Sequence, residues 1–223
     1  MPLREIEKIL ANVVLLAGEG ASMSLGSADL QAMFRDPGLQ VQVSQPPGLP
    51  SQQFHITSLR EQIVLVLNPA GQIIIEDKSA NIPPKGRVAD IVNDLVVLFA
   101  ARGLSKFRAY GFNFHVSFDT PGERLAGEFL AQNFLQVERI QQKGAIQIGG
   151  AGLRLYFDFA NATCDFRLEP RQNRPNEPKL FAAINYNYDV EESGLPTGEI
   201  IRSDFLGKWT TFQQLLEGLM LQQ

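Results

Sequence analysis

The sequence has little of several residue types on which common site chemistries depend. One cysteine and two histidines among 223 residues exclude a disulfide framework and a metal site rich in cysteine or histidine. The longest apolar run, residues 9–17, contains Asn12 and is too short to cross a bilayer. We therefore expect no signal peptide, no membrane span and no cofactor. The single Cys164 suits a reducing compartment, so we expect a cytoplasmic protein.

An excess of positive charge is also missing. The chain has 20 Lys+Arg against 24 Asp+Glu, for a net charge of -4. The first 112 residues are neutral, so the whole excess of negative charge falls on the remainder. Nonspecific nucleic-acid binding normally requires a basic surface, which argues against nucleic acid as the partner. With 44% hydrophobic and only 20% charged residues, the chain is not a disordered one.

Periodicity in the first half predicts strands and two helices. The segment up to Ala17 fits either a helix or a short strand. Ser27 is a suitable N-cap for a helix over 28–36. The almost continuous apolar run Gln62–Leu67 predicts a central strand buried on both faces. The remaining expected elements are strands 39–45, 53–58, 61–68 and 71–77 and a helix over 87–102 that ends at Gly103.

The second half repeats this order. Alternation predicts a long strand over 106–118, and Thr120 and Glu123 have capping-box spacing at the start of a helix over 121–135. A polar loop, 191–203, precedes the last expected helix at about 204–221. Between these helices the pattern predicts strands 144–149, 152–160, 163–170 and 180–190.

The shared order predicts an α+β fold with an internal duplication. Each unit reads strand, helix, four strands, helix, and the expected halves are residues 1–104 and 105–223, packed as one pseudo-twofold globular unit. Such units form curved antiparallel sheets with helices on one face. The element order resembles that of the TATA-binding-protein-like folds. No stretch of residues carries this resemblance, so it concerns topology alone and implies no function.

Two strand faces hold the candidate site residues. Asn113, His115 and Ser117 lie in a row on the polar side of the long strand, as a small-ligand platform or simply as an exposed strand face. His55 and His115 have no ligand spacing, which favours solvated or hydrogen-bonded histidines. Cys164 is in phase with the apolar residues and is expected to be buried.

The second candidate face lies on the expected hairpin of strands 152–160 and 163–170. It is either a wet surface with cross-strand ion pairs or a recognition surface. A pair of carboxylates, Asp158 with Asp165 or Glu169, is a further reading that would allow acid–base or metal chemistry. The side chains on this face are Arg154, Tyr156, Asp158, Asp165, Arg167 and Glu169.

No catalytic constellation stands out. The sequence therefore favours a non-catalytic interaction or assembly subunit that binds a peptide, a helix or a partner subunit, or associates with itself. Its binding elements would be a curved sheet and the polar loops 45–53, 171–178 and 191–203. The alternative is a small-ligand protein or enzyme that uses carboxylates and arginines, and nucleic-acid binding rests on the topological resemblance alone. The binding candidates are Asn113, His115, Arg154, Tyr156, Asp158, Asp165 and Arg167, with no metal ligand among them.

Overall fold

The computed structural model describes residues 6–17, 25–34, 36–44, 53–68, 71–102, 107–135, 151–190 and 195–220. Within these residues the chain forms nine strands and four α-helices, which confirms the α+β class. The elements are β1 Glu7–Ala17, α1 Ser27–Phe34, β2 Gln40–Ser44, β3 Gln53–Ser58, β4 Ile63–Asn68, β5 Gln72–Asp77, α2 Arg87–Ala101, β6 Phe107–Asp119, α3 Ala126–Phe134, β7 Leu153–Phe159, β8 Ala162–Pro170, β9 Lys179–Asp189 and α4 Gly198–Met220.

The nine strands form one sheet in the order β2-β3-β4-β5-β1-β6-β9-β8-β7. The hairpins β2–β3, β3–β4, β4–β5 and β7–β8 are antiparallel, and so is the non-consecutive pair β1–β5. The predicted antiparallel sheet is therefore confirmed. β1 therefore lies beside β5, and β6 lies beside β9, so the first strand of each half is next to the last strand of that half. The strand expected at 144–149 and the cap at Gly103 lie outside the described residues.

Chain contacts define two compact units. Unit A comprises residues 10–113 and 187–209, and unit B comprises residues 1–9, 114–186 and 210–223. The boundaries fall inside β1, β6, β9 and α4, so each of these elements contributes residues to both units. The halves 1–104 and 105–223 and their pseudo-twofold packing stay a prediction.

The sequence left open whether the segment up to Ala17 is a helix or a strand, and the core of unit A shows which one forms. β1 is a strand, with Ala11, Val13 and Leu15 fully buried.

In β4, burial alternates between buried and half-buried positions, so the prediction of a strand buried on both faces was wrong. Only one face of β4 reaches the core. Its other face carries Val64 and Val66, which are apolar but half-buried, and this produced the continuous apolar run in the sequence.

The core of unit B is built on aromatic side chains from three elements. Phe114 on β6, Phe166 on β8 and Phe212 on α4 are fully buried. The Phe212 ring stacks on Phe114 at 6.3 Å between centroids and meets Phe166 edge-on at 6.4 Å. These offset and perpendicular arrangements are the ones that aromatic quadrupoles favour. α4 is thereby fixed on two strands of the sheet.

The start of α4 differs from the prediction. The helix begins at Gly198, six residues before the expected start, so part of the predicted loop 191–203 is helical. Ile201 is fully buried and its N–H donates to the Thr197 carbonyl at 3.0 Å. Ile201 continues the i, i+4 series of Phe205 and Trp209, so its burial extends the helix toward the N-terminus. No helix among the described residues is long and apolar enough to cross a membrane.

The predicted capping box at Thr120 is not formed. The Thr120 hydroxyl donates to the Arg124 carbonyl instead, and residues 121–123 make a single 3-10 turn with Gly122 at φ 68. α3 begins only at Ala126. The N–H groups of Ala126 and Gly127 donate to the carbonyls of Glu177 and Pro175, both at 2.9 Å. A tertiary contact therefore replaces the local cap that the sequence spacing indicated.

An aspartate lies just beyond the described part of α1. The helix spans Ser27–Phe34, and Asp36, the last residue of the expected helix, is not helical. The Asp36 carboxylate accepts hydrogen bonds from the Gly38 N–H at 2.9 Å and from the Ser58 hydroxyl at 2.6 Å. These bonds turn the chain toward β2, and the hydrogen bond from Ser58 is the main cause that lowers the pKa of Asp36.

Candidate functional site: the polar face of the β7–β8 hairpin

The register of the β7–β8 hairpin brings five of the seven predicted site residues onto one side. Directly opposite residues in an antiparallel pair share a face of the sheet. Here Arg154 is opposite Arg167, Tyr156 is opposite Asp165, and Asp158 is opposite Thr163. We call the side formed by Arg154, Tyr156, Asp158, Asp165 and Arg167 the hairpin face. The other side of β8 carries Cys164, Phe166 and Leu168, all fully buried, which confirms the expected burial of Cys164.

Three residues of the hairpin face form one connected group. The Arg154 guanidinium donates to Asp165 through two bonds, Nε to Oδ1 at 3.0 Å and Nη2 to Oδ2 at 2.7 Å. The same guanidinium lies 4.8 Å from the centre of the Tyr156 ring, within cation–π range. The hydrogen bonds from Arg154 hold the pKa of Asp165 below its usual value, and Asp165 in turn raises the pKa of Arg154.

This group is held in place and still faces solvent. The Tyr156 side chain is 66% exposed, although Arg154 stacks on its ring. A bidentate arginine–carboxylate pair fixes the plane of the guanidinium. The hairpin face therefore presents an aromatic ring and a charged fork in a defined orientation.

The carboxylate pair that the sequence allowed is not assembled around Asp158. The Asp158 Oδ1 accepts a hydrogen bond from the Thr163 hydroxyl at 3.4 Å, while Asp165 is bound to Arg154. Glu169 lies near Gly152, at the far end of the hairpin. The described residues contain no group of three or more His, Cys, Asp or Glu that could hold a metal ion.

His115 is a half-buried and neutral side chain. Its ring meets Phe181 of β9 edge-on, with the centroids 5.4 Å apart. Burial, together with the positive charge of Arg167, lowers the pKa of His115 to about 4. At neutral pH the ring therefore carries no charge. Its neighbour in the expected polar row, Ser117, is fully buried and donates to the Leu180 carbonyl at 3.0 Å, so this row is not an exposed platform.

Asn113 belongs to unit A, where it has a structural contact. Its side-chain amide donates to the Asn12 side-chain oxygen at 2.8 Å. Asn12 is buried, with 6% of its surface exposed. A buried acceptor of this kind needs its donor, because an unsatisfied polar group loses its solvation without compensation.

We expect Asn113→Ala to lower the free energy of unfolding by about 1–2 kcal/mol, because the Asn12 oxygen loses its donor. Urea denaturation followed by circular dichroism measures this loss. The matched variant Asn93→Ala removes an exposed amide on α2 whose side-chain oxygen accepts a hydrogen bond from the Gly198 N–H at 3.2 Å, and it should cost less. An equal loss in both variants would contradict the role given to the Asn12–Asn113 pair.

Loop 171–178 supports the fold instead of standing free in solvent. Arg171 pairs with Glu7 at 2.7 Å, and Arg174 pairs with Glu177 at 2.9 Å. Carbonyls of the same loop accept the N–H groups at the start of α3. Residues 45–52 and 191–194 of the other two predicted binding loops lie outside the described residues.

Sequence reasoning missed a second polar site, an open cleft in unit A of about 510 Å³. Arg87 is its central residue. The Arg87 Nε donates to the Glu61 carboxylate at 2.9 Å, and its Nη2 donates to the Met33 carbonyl. The Arg87 Nη1 lies 3.7 Å from the Asp94 Oδ2. The spacing of Arg87, Asp90 and Asp94 on one face of α2 was the available signal. The lining residues are Arg60, Glu61, Arg87, Asp90 and Asp94.

Fold and site together define an α+β protein with an antiparallel nine-stranded sheet and an exposed arginine–tyrosine group on its β7–β8 hairpin. Neither a scan against protein-family models nor a search of curated proteins returned a match. Among solved structures, the chain is similar to the TBP of Methanococcus jannaschii at 11% sequence identity. That similarity covers 94% of this chain and 99% of the other, with a TM-score of 0.34.

Proposed function

We propose that the protein is a non-catalytic interaction or assembly subunit that binds a protein partner through the hairpin face. The observation that carries this proposal is the connected group of Arg154, Tyr156 and Asp165, with Tyr156 66% exposed. Tyrosine and arginine are enriched among the few residues that carry most of the binding energy of protein interfaces. An exposed pair of these residues is therefore a suitable anchor for a partner.

Preorganisation supports the same proposal. Binding normally costs free energy because flexible side chains become ordered. Here the Arg154 guanidinium is already held by the Asp165 carboxylate, and one face of the Tyr156 ring is already covered by that guanidinium. A partner that packs on the other face of the ring would order few additional groups. Arg167 and Asp158 flank the group and offer charges of both signs to a polar rim.

The experiment is a quantitative pull-down from the native host with tagged full-length protein. We expect the unaltered chain to recover a partner in stoichiometric amount. Tyr156→Ala and Arg154→Ala should each reduce the amount of recovered partner at least about tenfold, since each substitution removes an anchor residue. Arg102→Ala is the matched control, because Arg102 is also an exposed arginine in an ion pair and lies outside the predicted binding elements, and it should retain the partner.

Two results would overturn the proposal. One is the recovery of no stoichiometric partner. The other is full retention of the partner by the double variant Arg154→Ala/Tyr156→Ala. Circular dichroism and melting temperature of each variant establish that the substitutions at these exposed positions leave the fold intact.

A further inference from the structure

β2 is the outermost strand at one end of the described sheet, and it is unusually open. It pairs with β3 on one side, and no described strand lies on its other side. All five of its residues are exposed, including Val41 at 49% and Val43 at 51%. A strand in this position presents main-chain N–H and C=O groups that can pair with another chain.

The sequence of β2 lacks the usual protection of an edge strand. Lysine, other charges, proline or a bulge normally prevent such strands from pairing with each other. β2 reads Gln-Val-Gln-Val-Ser and contains no charge and no proline. The nearby Asp36 carboxylate is turned inward, where it binds Ser58 and Gly38. Nothing in the strand itself therefore opposes the approach of a neutral strand.

The pattern of β2 is complementary to itself in an antiparallel arrangement centred on Gln42. In that register Val41 lies opposite Val43 of a second copy, and Gln40 lies opposite Ser44. The register with β3 places Val41 beside Ile56 and Val43 beside Phe54, whereas Gln42 lies beside His55. Ile56 is buried, so the valines belong to the apolar side of the sheet. A two-fold axis perpendicular to the sheet keeps this side the same in both copies.

We propose that two copies of this chain associate by antiparallel pairing of their β2 strands, with the two Gln42 residues opposite each other on a two-fold axis. Main-chain hydrogen bonds and the two Val41–Val43 contacts hold the copies together. The contact is isologous, so it closes after two copies and does not propagate. It uses a surface other than the hairpin face, and it does not depend on the function proposed above.

The introduction of a positive or a negative charge at Gln42 tests this geometry. Sedimentation velocity of the full chain should show a concentration-dependent dimer. Gln42→Lys and Gln42→Glu should each weaken dimerisation about tenfold, because like charges are then directly opposite each other. An equimolar mixture of the two variants should form a heterodimer, since opposite charges then meet on the axis. Gln132→Lys, the same change at an exposed position of α3, should dimerise as the unaltered chain does.

Three outcomes would overturn the proposal. The first is an unaltered chain that stays monomeric up to about 0.5 mM, a concentration that detects even weak association. The second is self-association that persists unchanged in both Gln42 variants. The third is a mixture in which no heterodimer forms. Tyr156→Ala leaves β2 intact and should dimerise normally, so this result and the pull-down result can be distinguished.

Discussion

Replacement of Phe212 by alanine is expected to lower the free energy of unfolding by about 3–5 kcal/mol. The Phe212 side chain is fully buried, and its ring contacts the rings of Phe114 and Phe166. Truncation removes a large apolar group and leaves a cavity. Its walls belong to β6 and β8, two strands whose positions are fixed by the sheet. The cavity therefore collapses only in part, which places the loss at the upper end of the range for buried aromatic residues.

Urea denaturation followed by circular dichroism measures this loss. Phe212→Leu keeps more of the buried volume, so it should cost less than Phe212→Ala. If the alanine variant does not fold, the leucine variant still carries the measurement. Tyr156→Ala, which truncates an exposed ring, is the control and should change stability little. A loss in Phe212→Ala no larger than in this control would contradict the packing described for α4.

The second large effect is a loss of stability on acidification that depends on His115. The pKa of His115 is about 4 in the folded protein, against 6.5 as the ordinary value. Between these two values the unfolded chain binds a proton that the folded protein does not bind. Stability therefore falls as pH decreases from about 6.5 to about 4, and it is unaffected by this group above that window. The upper limit is about 3 kcal/mol, which solvent around the half-buried ring reduces to about 2 kcal/mol.

The experiment uses a His55→Gln background, in which His115 is the only histidine. Unfolding free energies at pH 4.5 and pH 7 should differ by about 2 kcal/mol more with His115 present than with His115→Gln. Subtraction removes the contribution of carboxylates that both proteins share. Proton NMR of the imidazole gives the pKa directly. A value near 6.5 would contradict the burial of His115 against Phe181 and its proximity to Arg167.

Alternation along a strand predicts the side of the sheet on which each residue lies. The β7–β8 hairpin shows what this pattern predicts and what it leaves open. Period two placed Arg154, Tyr156 and Asp158 on one side of β7, and the observed register confirms that Asp165 and Arg167 share it. The pattern does not specify which of these side chains meet. Arg154 binds its diagonal neighbour Asp165 and not Asp158, because the hairpin register sets the distances between charged groups.

Predictions failed where a tertiary contact replaced a local signal. Thr120 has capping-box spacing, yet the start of α3 is satisfied by carbonyls of loop 171–178, more than 40 residues away in sequence. The cleft around Arg87 was missed for the same reason, since Glu61 and Met33 reach it from other elements. Periodicity reports burial and local geometry. It contains no information on which distant polar groups become neighbours.

The pairing of β1 with β5 has a consequence for synthesis of the chain. β1 cannot complete its register until Glu76, the partner of Asn12, has been made. At about 5–20 residues per second this delay is on the order of several seconds. During it the apolar row of Ala11, Val13 and Leu15 has no place in the sheet, while the hairpins β2–β3 and β3–β4 form from neighbouring segments as they emerge. The nascent chain therefore exposes an apolar strand that is prone to aggregation until β5 is complete.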